Sequence, residues 1–187
     1  HISLGANNLT AGAVSGGNAT GYILTGSTGQ LLQVVAGAAK IFPVGNAVYN
    51  PITLTNSGTS DTYGIRLDDA APASTNDPAK VLNKTWFVTE AVGGGGDLAV
   101  VAQYNSGDAR GANYNAAPTP RIGLRTSGTW VQQNANLAGS NPFTASSTTN
   151  FNNTLVSAYF GVGKDDAFIA VAAPPTIGSF TSNPNDG

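Results

Sequence analysis

The stretch Ile52-Thr53-Leu54-Thr55-Asn56-Ser57-Gly58, followed by Tyr63-Gly64-Ile65-Arg66-Leu67, sets the fold class. Ile52 and Leu54, then Tyr63, Ile65 and Leu67, alternate with polar or small residues on either side of a turn sequence. An interval of two matches the pleat of a strand that buries one face.

The flanking sequence follows the same rule. Residues 22–25 and 30–35 flank Gly26-Ser27-Thr28-Gly29, which reads as a hairpin connection because glycine tolerates positive φ. Residues 40–44 form a short apolar run closed by Gly45. Residues 84–92 place Trp86, Val88 and Glu90 on one face and Thr85, Phe87 and Thr89 on the other, as in a strand covered on both sides. After a slack turn at 93–96, residues 98–104 read as the next strand, with Tyr104 on a strand neighbouring that of Trp86. A hairpin is expected over 122–125 and 129–133 around Ser127-Gly128, and a last pair over 143–149 and 155–162. Residues 168–171 are expected to close the sheet. Loops rich in Asp, Asn, Ala and Pro fill 68–79 and 105–120. About ten short strands with turn signals between them predict an all-β fold, an antiparallel β-sandwich of jelly-roll or Ig-like kind.

The first residues differ. Ile2, Leu4, Leu9 and Val14 sit thinly among Gly, Ala and Asn, resembling one or two rungs of a β-solenoid. Two rungs bury no core alone, so this segment needs a partner face. Three parts are therefore expected: a solenoid-like segment at 1–20, a β-sandwich domain at 21–173 and an extended tail or linker at 174–187.

Composition narrows the function. Charged residues are 10% of the 187, against about 25% in an average soluble protein, and 24 positions are glycine. Eight basic residues spread along a chain of net charge −2 leave no footprint for nucleic acid. No apolar run is long enough to span a membrane. The lack of cysteine excludes disulfides and thiolate metal sites. Low charge with abundant Thr, Asn and Gly, and a start at His1 rather than Met, suggest a processed, extracellular chain.

Catalysis finds little support. His1, at the terminus, is the single imidazole, so a Ser/His/Asp arrangement finds little support; Asp–Asp dyads or a pair of an aspartate with Glu90, the single glutamate, stay open on paper. Glu90 reads as a strand-end carboxylate bonded to turn amides. Asp68-Asp69 and Asp165-Asp166 lie by loops but outside any calcium-loop pattern, and Gly93–Gly96 lacks the Lys and Ser/Thr of a phosphate loop. No enzyme activity, metal or cofactor is expected. Trp86 and Trp130, at central strand positions, read as core. Tyr114, between Asn113 and Asn115 in a loop, reads as an exposed ring.

Several segments together resemble a known family. Leu4 to Thr10, Tyr22-Ile23-Leu24-Thr25-Gly26, Ile41-Phe42-Pro43-Val44-Gly45, Tyr49-Asn50-Pro51-Ile52-Thr53-Leu54-Thr55-Asn56-Ser57-Gly58 and Asn83-Lys84-Thr85-Trp86-Phe87-Val88-Thr89-Glu90 are similar, in that order, to a β-rich module of large secreted cell-surface, adhesin-like proteins of the Bacteroidota. The tail Pro174-Pro175-Thr176-Ile177-Gly178-Ser179-Phe180-Thr181 resembles the opening strand of an IPT/TIG Ig-like repeat. The resemblance implies a surface location and supplies no catalytic residues.

Two functions follow as expectations. In the first, the chain is an extracellular structural protein, a subunit or module of a surface fibre or adhesin. It assembles through β-strand contacts, with Ile2, Leu4, Leu9, Ile177 and Phe180 in self-association. In the alternative it binds glycans or a host or prey surface, with contact at Asn113, Tyr114 and Asn115.

Overall fold

The structure, a computed structural model, describes residues 1–169. Their strands are β1 (Ile2–Ser3), β2 (Leu9–Thr10), β3 (Ile23–Leu24), β4 (Leu31–Val35), β5 (Lys40–Phe42), β6 (Val44–Gly45), β7 (Ile52–Asn56), β8 (Asp61–Asp68), β9 (Val81–Glu90), β10 (Leu98–Tyr104), β11 (Pro120–Thr126), β12 (Thr129–Gly139), β13 (Phe143–Ser147) and β14 (Ala158–Lys164). One short 3-10 turn, Pro78–Lys80, is capped by Asp77. The all-β expectation holds.

Eleven strands form one large curled sheet in the order β2-β4-β8-β9-β14-β11-β12-β13-β10-β7-β5. The long β12 carries the curl. Its first half pairs with β11, and its second half, Ala135 to Gly139, pairs with β13. The two limbs on either side of β12 send alternate residues into a single core. Leu31, Ile65, Leu67, Trp86, Val88, Leu124 and Phe160 enter from one limb, and Ile52, Leu54, Val100, Tyr104 and Ala145 from the other. Because β12 belongs to both limbs, the sheet is continuous on that side.

Several expected neighbours are rearranged by this curl. The hairpin over 122–133 forms, with Ser127 and Gly128 both at positive φ in its turn. Trp86 and Tyr104, however, do not lie on adjacent strands: β9 pairs with β8 and β14, whereas β10 pairs with β7 and β13. Likewise β13 and β14 are not partners, since each bonds to strands of its own limb. Short connections here cross between limbs instead of turning back within one, and alternation cannot distinguish the two.

The N-terminal part is parallel. A second sheet has the order β1-β3-β6, and β2 pairs in parallel with β4. The expected hairpin at 26–29 is therefore a connection between two sheets, for β3 and β4 do not pair; β3 bonds to β1 and β6. Gly29 is required there, because a Cβ would lie 2.3 Å from the carbonyl oxygen of Asn7. Ile2, Ile23 and Val44 recur at an interval of 21 residues and stand side by side. Parallel pairing thus joins strands within residues 1–20 to β3, β4 and β6.

Candidate functional site

The first rung, β1 with β2, is open. Each is the last strand of its sheet. The N–H groups of Ile2 and Leu4 donate to Tyr22 and Leu24 at 3.1 Å, and those of Leu9 and Ala11 to Gln30 and Leu32 at 2.9 and 3.0 Å. In a strand, successive N–H groups point to opposite sides, so Ser3 and Thr10 aim theirs away from the molecule. Burial follows the same logic. Ile23 and Val44 are buried, Leu4 is buried under the rung, Leu9 is partly buried against the core, and Ile2 is 58% exposed.

The other edges are blunted. Beside β6, Gly45 bridges Tyr49 and the Val44 carbonyl accepts from Asn50. At β5, the Lys40 ammonium bonds the Gly12 carbonyl at 3.1 Å, and Gln33 donates to the Ile41 carbonyl at 2.8 Å. A lysine on a short edge strand is a common guard against pairing. Ile177 and Phe180, expected in self-association, lie outside the described residues.

The expected glycan contact is corrected in part. Tyr114 is buried and donates its hydroxyl hydrogen to Tyr104 at 3.0 Å, so its ring offers no face to a sugar. Burial pushes the Tyr114 phenol well above its ordinary range. Asn113 and Asn115 on either side are exposed, and the side-chain Oδ1 of Asn115 accepts from Arg110 at 3.3 Å.

The carboxylates are individually engaged. One Glu90 oxygen accepts from the Gly94 and Leu155 amides at 2.6 and 2.9 Å, tying the strand end to two turns. Asp68 pairs with Arg66 at 2.7 Å, and Asp69 with the buried Lys84. Asp165 accepts from the Thr119 amide at 2.9 Å, and Asp166 pairs with Lys80 at 2.5 Å, which holds its carboxyl below the usual range. Among the described residues, no group of three His, Asp or Glu side chains converges as metal ligands.

Strand register builds a row of side chains on the outer face of the curled sheet that sequence spacing alone does not show. Arg66 stands opposite Phe87, Phe87 opposite Tyr159, Tyr159 opposite Arg125, and Arg125 opposite Trp130. Five strands thus align arginine and aromatic residues in one line, although their sequence positions are scattered. Between this line and the loop at 70–73 lies a cavity of about 280 Å³.

No family model, curated protein or solved structure matches the chain. No helix among the described residues is long and apolar enough to cross a membrane.

Proposed function

We propose that the chain is a non-enzymatic structural module of an extracellular bacterial surface assembly, and that two copies meet through their first rungs. The observation that carries this reading is the pair of edge strands β1 and β2, which direct the Ser3 and Thr10 amides outward beside an exposed Ile2. Unpaired strand edges gain hydrogen bonds by adding a strand from another chain. The low charge of the chain lowers the repulsion between copies.

A second copy fits the edge better than a head-to-tail neighbour does. The opposite ends of the rungs are covered at β6 and guarded at β5, so contact of this edge with its own counterpart, around a two-fold axis, leaves only the guarded β5 edge unpaired. Growth of such pairs into a fibre needs a second contact, for which the apolar Ile177 and Phe180 of the tail are the candidates in the sequence. Negative-stain microscopy of the purified chain tests the proposal. Paired or fibrous particles support it; uniformly single particles at high concentration oppose it.

A further inference from the structure

We propose that the cavity on the outer face of the curled sheet binds a sugar acid, a single pyranose ring bearing one carboxylate. This site is separate from the first rung and does not depend on how copies assemble.

Its floor is the aligned row. Phe87 and Tyr159 meet edge to face at 4.5 Å, giving an apolar surface on neighbouring strands. Trp130 closes one end, held by a hydrogen bond of 3.1 Å from its indole nitrogen to the Ala73 carbonyl. The facing wall is the alanine-bearing loop at 70–73, fastened on its other side by Thr85, whose hydroxyl donates to the Ala70 carbonyl at 3.0 Å. Both fastenings make the cavity a built feature of the fold. At about 280 Å³ it lies near the ~300 Å³ lower end of small-molecule sites, room for one ring and little more.

Charge selects the ligand. The two arginines of the row are not equivalent. Arg66 lies over the Phe87 ring at 3.3 Å and is neutralised by Asp68 at 2.7 Å. Arg125 has its Nε buried without an acceptor, and no carboxylate among the described residues pairs with it. Arg125 lines the cavity without an ion-pair partner, and a carboxylate supplies the two-pronged acceptor that a guanidinium fits. The lining therefore carries one uncompensated positive charge beside aromatic rings.

These features favour a sugar acid over other small carboxylates. The apolar face of a pyranose packs against the Tyr159 ring, with Phe87 edge to face beside it, while its hydroxyls find an acceptor in Thr85 Oγ1. An amino acid or peptide end would bring an ammonium as well, and the one carboxylate in the lining is already engaged by Arg66. A bare carboxylate would leave the aromatic floor uncovered.

The test is titration of the full chain with methyl glucuronide, methyl glucoside and acetate, followed by calorimetry and by tryptophan fluorescence. Trp130 lines the cavity and Trp86 lies in the core, so a fluorescence change reports on Trp130. Saturable binding of the glucuronide is expected, roughly tenfold or more tighter than the glucoside. Arg125→Gln should lower the glucuronide affinity by roughly the same factor, while Asn113→Ala should leave it unchanged. Equal affinity for glucuronide and glucoside would remove the carboxylate from the account. Acetate binding as tightly as glucuronide would remove the sugar, and no saturable binding would overturn the site. Should Arg125→Gln not fold, selectivity of the unaltered chain among the three probes decides the matter alone.

Discussion

Ile2 and Ile23 are partners in a parallel pair, yet Ile23 is 3% exposed and Ile2 58%. They occupy the same position in successive rungs. The difference arises because Ile23 has a strand on each side and Ile2 has one on its inner side only. An apolar side chain and an outward amide at Ser3 are thus presented together, and covering both is what a docked strand would accomplish. Burying Ile2 fully would contribute about 1.5–3 kcal/mol before ordering costs.

Trp86 anchors the core between the limbs. It is fully buried, and its indole nitrogen donates to the Asn50 carbonyl at 3.0 Å. Trp86→Ala should cost about 3–5 kcal/mol in chemical denaturation. A variant with the unfolding midpoint of the parent would contradict the placement of β9 at the centre.

Phe168 lies on a floor of glycines. A Cβ at Gly123 would come within 2.5 Å of its ring, and one at Gly161 within 3.0 Å. Gly123→Ala should therefore lift Phe168 from the sheet and cost about 1–3 kcal/mol. Phe168 packs against Trp130 at 4.7 Å, so the emission of Trp130 should shift to the red at the same time. Gly107, where an added Cβ meets nothing within 4 Å, is the control, and Gly107→Ala should change stability by less than about 0.5 kcal/mol.

Glu90 is a latch between turns. Glu90→Ala leaves the Gly94 and Leu155 amides without their acceptor and should cost about 1–3 kcal/mol, with Glu90→Gln less affected because one oxygen remains. Equal loss in both variants would show that charge, not the acceptor geometry, matters at this turn.

Alkali should destabilise the fold before it changes the chain chemically. Burial, with the Glu90 and Asp61 charges adding to it, pushes the Tyr63 phenol up to about 12. An unfolded tyrosine ionises near about 10, so the folded state holds this proton more tightly. The contribution is complete below about pH 10 and is lost as pH rises through about 12. Melting temperature should fall over that window, and Tyr63→Phe should flatten the fall. A profile equally steep in the variant would assign the effect elsewhere.

Much of this was legible in the alternation of apolar residues. Trp86, Leu54, Ile65 and Val100 lie inward as their spacing requires, and the Ser127-Gly128 turn forms where glycine and a short polar residue invite positive φ. Partnership between strands was less legible. Residues 22–35 have the composition of a hairpin, yet Ile23 pairs at a distance of 21 residues with Ile2 and Val44. The rung repeat is disguised because Leu4 corresponds to polar Thr25, and the Leu24 position is taken by Gly45. Tyr114 misled for a different reason: flanking asparagines mark a surface loop, but the loop folds back and sinks the ring against Tyr104. The row from Arg66 to Trp130 exists only once five strands are in register, so no local pattern announces it.

Sedimentation velocity of the full chain and of the double variant Ser3→Pro, Thr10→Pro tests the central claim. Proline at these positions removes only the outward amides, since the inward bonds belong to Ile2, Leu4, Leu9 and Ala11. The unaltered chain should associate as its concentration rises, whereas the double variant should remain a monomer with near-parental melting temperature. Association of equal strength in both, or a monomer in both, would contradict assembly through the first rung.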